Sequence, residues 1–156
     1  MAEEKRERAL RTYQTLCQML DSEGWHYDKD DERLSIYCTA QGEDLPIDIR
    51  MTVNEQVQTI SLISRLPFVV SEEKRMEVAV ASTVVNNRLV DGSFDFDLQN
   101  GRMYFRITNS FMDCELSKEA FRYILFCACG TIDDYNDKFL MLDKGMLTLE
   151  SFMNDN

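Results

Sequence analysis

The sequence is poor in the residues that build metal centres and phosphate loops: one histidine, two prolines and six glycines that never cluster. With His26 as the single imidazole, a histidine-built metal site is not expected, and neither HExxH nor CxxC occurs. The scattered glycines leave no phosphate-cradling loop and no dinucleotide fingerprint, so no cofactor is expected. Positive charge is scarce as well. Seventeen basic residues face 28 acidic ones, for a net charge of −11. That balance argues against a nucleic-acid backbone and against an anionic membrane surface as partner. No membrane-spanning run or signal peptide is read in the chain. Its odd number of cysteines, Cys17, Cys38, Cys114, Cys127 and Cys129, is therefore expected as free thiols in a reducing cytoplasm. The absence of an Asn-x-Ser/Thr sequon fits that compartment.

Linkers and repeats are also lacking. At 156 residues and 44% apolar content, one domain over residues 1–156 is expected, with a core from about 10 to 145 and a short tail from 146 to 156. The remaining chemical motifs have plain explanations. His26, between Trp25 and Tyr27 in an expected edge strand, reads as ordinary packing. Counting twelve positions from Asp28 reaches Thr39, and from Asp133 reaches Lys144. A calcium loop needs a glutamate there and a glycine at the sixth position, so both acidic runs read as solvated turn and helix acids. Cys127 and Cys129, two apart on a helix, diverge by about 200° and read as buried structural residues.

What is present is strong patterning. Leu10, Tyr13, Cys17 and Leu20 predict a first helix over Ala2 to Asp21. A short strand is expected at Trp25 to Asp28, then one in which Leu34, Ile36, Cys38 and Ala40 point inward. Leu45, Ile47, Ile49, Met51 and Val53 alternate strictly with polar residues and predict the clearest strand. A fourth follows from Thr59 to Ser64, ending near Pro67. Ser71, as N-cap, and Gly92, as C-terminal stop, bracket a second helix. Asn86 and Asn87 are expected to tie its end to the next strand. Phe94, Phe96 and Leu98 then answer Met103, Phe105 and Ile107 across Asn100-Gly101, which predicts a hairpin with a type I′ turn. Phe121, Leu125, Ala128, Ile132, Tyr135, Phe139 and Leu142 predict one long helix from Ser117 to about Asp143. A helical turn over Thr148 to Met153 completes the chain.

Strands and helices grouped in this way, in the order α-β4-α-β2-α, predict an α+β fold. An antiparallel sheet of about six strands would carry its helices over one face. The other face would present Tyr37, Asp48, Arg50, Asp95, Tyr104 and Arg106, and these are the candidate partner-binding residues. Excess apolar surface on the second and third helices, including Phe126, Leu140 and Met141, predicts a second covered face, hence a homodimer.

The series Glu72-Glu73-Lys74-Arg75, Asn87, Leu89, Gly92, Phe94, Asp97, Gly101 and Phe105-Arg106, with the helix start Ser117-Lys-Glu-Ala-Phe, resembles the YbjN family of bacterial proteins. The resemblance implies an α+β domain similar to type III secretion chaperones, a label of sensory transduction regulator, and no catalytic residues. Secretion chaperones of this kind are small acidic cytoplasmic homodimers that hold an extended client segment. The expectation is a non-enzymatic protein-binding regulator, with a chaperone of a secreted protein as the alternative. A thiol sensor or enzyme using Cys127 or Cys129 is the third reading.

Overall fold

Residues 1–155 are described by a computed structural model. Helix α1 (Ala2–Ser22) is followed by β1 (Asp28–Asp30), β2 (Ser35–Gln41), β3 (Pro46–Asn54) and β4 (Thr59–Val69). Helix α2 (Arg75–Arg88), the hairpin β5 (Ser93–Phe96) and β6 (Arg102–Ser110), and helices α3 (Lys118–Asp143) and α4 (Leu149–Asn154) complete it. The strands form one antiparallel sheet in the order β1-β2-β3-β4-β6-β5. The expected α+β architecture is present, with α4 as the additional short element.

Strand alternation sorts the sheet into two faces. Ile36, Ile49, Met51, Ile60, Leu62, Phe94, Met103 and Phe105 are buried with Leu16, Leu20, Val78, Phe121, Leu125 and Phe139 from the helices. The partners that alternate with them on β3, from Pro46 to Asn54, remain exposed or half-exposed. The helices therefore cover one face and leave the other open. On α1 the covered side is centred on Ala9, Tyr13, Leu16 and Leu20; Leu10 and Cys17, two of the expected stripe, are only partly covered. Phe152 of α4 is buried against Phe139, with ring centroids 5.3 Å apart.

Several local expectations are corrected, each for a physical reason. The first strand is Asp28–Asp30 rather than Trp25 to Asp28. Asp30 Oδ1 accepts from the Glu32 and Arg33 amides and delays the turn, which Leu34 completes at φ +49°. β4 passes through Pro67 to Val69. The ladder slips between Arg65 and Val69, and a bulge accommodates a residue with no amide to donate.

Ser71 does not cap α2. Its amide and hydroxyl both donate to Asp143 Oδ1, at 2.8 and 2.7 Å, and a 3-10 turn at Glu72–Lys74 precedes the helix. α2 ends at Arg88, so Gly92 at φ +77° is not its terminator. The hairpin is not the two-residue type I′ turn. Among Leu98 to Gly101 only Gly101 has positive φ; Asp97 Oδ1 accepts from the Gln99 and Asn100 amides, and Gly101 N bonds Asp97 O at 2.8 Å. The Asx motif makes a longer loop and leaves Leu98 outside the strand, half-exposed. By contrast, Asn86 does tie α2 to β5: its amide donates to Phe94 O at 2.9 Å and accepts from Phe94 N at 2.8 Å. Asp133, read as a solvated acid, accepts from the Glu43 amide at 2.8 Å and holds the β2–β3 turn against α3.

The Ser71–Asp143 clasp joins the start of α2 to the end of α3, and its carboxylate is buried. Burial opposes ionisation there. The two Ser71 bonds and Lys144 Nζ, 3.3 Å from Oδ2, outweigh it and hold the carboxyl below the usual aspartate value. A pKa lowered on folding adds stability above the unfolded value of about 3.9, and that stability is lost as pH falls through the folded pKa. Asp143→Ala is expected to cost about 2 kcal/mol at neutral pH. Chemical denaturation across pH should find the gap from wild type narrowing below about pH 4.

Candidate functional site

The open sheet face forms a broad concavity of about 950 Å³ whose floor is made by β2, β3, β4 and β6. Tyr37, Asp48, Arg50 and Tyr104 line it together, as four of the six expected residues. The register explains why. Tyr37 lies opposite Arg50, Arg50 opposite Ile63, and Tyr104 opposite both Arg65 and Asp95. Thr39 Oγ1 donates to Asp48 Oδ1 at 2.7 Å and orients that carboxylate. Asp95 and Arg106 share the face but not the concavity's lining; they form an ion pair with each other.

Trp25, His26, Tyr27, Asp28 and Arg65 complete the wall and were missed as site residues. Arg65 continues the alternation of β4 past Ser64, but Pro67 hid that continuation. His26, expected in an edge strand with ordinary packing, is exposed, and it precedes β1 rather than lying in it. Tyr27, half-buried, donates to Asp21 Oδ1 at 2.9 Å and secures the segment to α1. Trp25 meets Phe126 edge-on, with centroids 6.5 Å apart and planes at 72°. Phe126 is 48% exposed, and Arg122 lies over its ring at 5.7 Å. The cover foreseen over the helices' outer faces is mixed. Met76 and Val80 on α2, and Tyr123 and Phe126 on α3, stand exposed, whereas Leu140 and Met141 are half-buried.

Cys127 and Cys129 are partly buried, less than expected, and Cys114 is exposed. Burial, with the Asp133 charge adding to it, pushes the Cys129 thiol up to about 11. Burial, with Cys129 adding to it, pushes Cys38 up to about 12. Both shifts disfavour the thiolate that nucleophilic chemistry needs. Among the described residues no helix is long and apolar enough to cross a membrane.

A family profile described as "Putative bacterial sensory transduction regulator" matches residues 12–141. The chain belongs to the YbjN family. Solved structures agree in fold. YbjN of E. coli, described as a putative transcription regulator, is 15% identical with a TM-score of 0.60, over 81% of this chain and 92% of that one. The HopA1-SchA chaperone-effector complex contains a chain 11% identical, with a TM-score of 0.59, over 83% of this chain and 95% of that one. The ExsC-ExsE complex contains one 13% identical, with a TM-score of 0.57, over 80% and 90%. At these identities the likeness establishes a shared architecture. No curated protein matches the chain in sequence. This YbjN-family member thus has the α+β fold that its residue pattern predicted and the likeness to secretion chaperones that the family resemblance implied.

Proposed function

We propose that this chain is a non-enzymatic, cytoplasmic protein-binding module of the sensory transduction regulator type, and that the open sheet face is its binding surface. The observation that carries the reading is the concavity itself. Tyr37, Tyr104 and Arg50 project from strands whose other face is fully committed to the helices. Tyrosine side chains on a rigid sheet supply large contact areas with little ordering cost, arginine adds directed charged hydrogen bonds, and such residues dominate binding energies at interfaces. The family description and the fold shared with a chaperone-effector complex support the same direction.

A second reading, the chaperone of a secreted client, is favoured by the exposed apolar side chains Met76, Val80, Tyr123 and Phe126 on the helices. The same residues are the proposed homodimer surface, with Met76 and Val80 of α2 as its centre.

Affinity capture from host lysate tests the module, with wild type compared against Tyr37→Ala/Tyr104→Ala. A dominant partner captured by wild type and reduced at least tenfold in the variant is expected, with an unchanged melting temperature. A disordered secreted partner would select the chaperone reading; a folded signalling protein would select the regulator. Light scattering on the same preparation is expected to give twice the 18.2 kDa chain mass. Equal capture by both proteins would remove the open face from consideration.

A further inference from the structure

The arginines of this acidic chain are unevenly satisfied. Among the described residues, Arg6, Arg8, Arg11, Arg33, Arg106 and Arg122 pair with carboxylates. Arg75 and Arg88 donate to backbone carbonyls. Three are left: Arg50, Arg65 and Arg102 have no ion pair or side-chain hydrogen bond, and a terminal nitrogen of Arg102 is buried without a partner. All three lie on the open face, one each on the adjacent strands β3, β4 and β6.

Their placement follows the register. Arg50 is opposite Ile63, and Arg65 lies two residues further along β4; Arg65 is opposite Tyr104, and Arg102 lies two residues further along β6. The step from Arg50 to Arg65 crosses one strand spacing of about 4.8 Å and advances about 6.7 Å along the sheet, about 8 Å in all. The step to Arg102 crosses the slipped part of the ladder, where Arg102 stands opposite Val69. Among the described residues the aspartates of this face do not pair with them. Asp95 pairs with Arg106 and Asp30 with Arg33. Asp28 and Asp48 line the concavity as carboxylates without an ion pair to any of the three, Asp48 accepting only from the Thr39 hydroxyl. A chain with 28 acidic residues has thus left three guanidiniums without an ion pair on this face: Arg50 and Arg65 line the concavity, and Arg102 stands half-buried beyond its edge.

We propose that the open face receives an extended protein segment carrying carboxylates at alternate positions, and that Arg50, Arg65 and Arg102 are its receptors. This rests on the protein-binding reading of the face and names the chemistry of the occupant. Alternate side chains of an extended segment recur at about 6.7 Å on one side, a spacing that the flexible arginine stems span. The guanidinium fork donates two parallel hydrogen bonds to a carboxylate, and an ammonium does not reproduce that geometry. Tyr37 and Tyr104 flank these arginines and cover the segment's apolar stems. Three spaced cations match three carboxylates. A phosphate backbone, charged at every unit, would bring far more charge than three cations can neutralise on a chain of net −11.

The test is fluorescence anisotropy with a short extended peptide bearing Glu at three alternate positions, its all-Gln counterpart, and an oligothymidylate. The Glu peptide should bind at least tenfold tighter than the Gln peptide. Arg50→Gln and Arg65→Gln should each weaken it about tenfold. Arg50→Lys, which keeps the charge but not the fork, should fall between, and melting curves verify the fold of each variant. Equal binding of the Glu and Gln peptides, indifference to the arginine variants, preferential binding of the oligothymidylate, or no peptide binding overturns the proposal. If both peptides bind alike and Tyr37→Ala/Tyr104→Ala releases both, the acidic occupant falls while the protein-binding face stands. If neither binds and that tyrosine variant also retains its lysate partner, both readings fall.

Discussion

Gly92→Ala is expected to lower the unfolding free energy by about 3 to 4 kcal/mol, whereas Gly24→Ala should cost only about 1 kcal/mol. The two glycines share nearly the same backbone, with φ of +77° and +74°. A side chain at either pays the left-handed penalty of about 1 to 2 kcal/mol. They differ in surroundings. A Cβ at Gly24 would meet nothing within 4 Å, whereas at Gly92 it would stand 2.3 Å from Phe105 Cζ and 3.0 Å from both Cε atoms. Phe105 is fully buried and packed edge-on against Phe94 at 5.2 Å, so its ring has nowhere to retreat. Overpacking of that kind adds about 1 to 3 kcal/mol. Urea denaturation of the two variants beside wild type separates the contributions. A loss at Gly92 no greater than at Gly24 would mean that the Phe105 ring yields freely.

That glycine also marks where local sequence signals stop being informative. Gly92 follows a helical pattern and precedes a strand, so a helix-terminating role is the natural reading. Only the tertiary fold brings Phe105 beneath it. Ser71 is similar: beside two glutamates it looks like a cap, but Asp143, 72 residues away, takes its donors. Asn100-Gly101 has hairpin chemistry, and Asp97 redirects it into a longer loop. The long elements governed by periodicity were legible in kind, with their ends and, on α1, part of the buried stripe shifted. β3 alternates without exception because one face is buried and one is not, and α3 holds its stripe across 26 residues.

The candidate site divides along the same line. Tyr37, Asp48, Arg50 and Tyr104 could be read together because strand alternation alone assigns them to one face, and pairing in register then gathers them. Arg65 was hidden because a proline two residues later looked like the end of its strand. The lack of partners at Arg50, Arg65 and Arg102 is a property of the folded surroundings. No pattern in the chain distinguishes them from Arg106, which has found Asp95.

Phe94→Ala is the substitution expected to cost most, about 4 to 5 kcal/mol, at the upper end of the range for large-to-small core changes. Its ring is 2% exposed and meets three others edge-on: Phe105 at 5.2 Å, Tyr135 at 6.0 Å and Phe139 at 5.1 Å. It therefore joins the β5–β6 hairpin to α3. The cost of such a cavity depends on how far the surroundings can collapse. Here the backbone of Phe94 is fastened at both its amide and its carbonyl by Asn86, so β5 cannot follow the missing ring inward. Phe94→Leu, which refills much of the volume, should cost only about 1 to 2 kcal/mol. Asn86→Ala combined with Phe94→Ala tests the fastening directly. Freed from the clasp, β5 can settle into the cavity, so the pair should cost less than the sum of the single changes. Strict additivity in urea denaturation would show that the clasp does not hold the cavity open. The neighbours Ser93 and Asp95 alternate onto the open face, so the strand that Asn86 fixes for the core also carries the Asp95 partner of Arg106. Because the clasp survives in Phe94→Ala and keeps β5 in place, the Asp95–Arg106 pair is expected to persist. A Phe94 variant still folded at low temperature should therefore bind the acidic peptide as wild type does, despite its lower melting temperature.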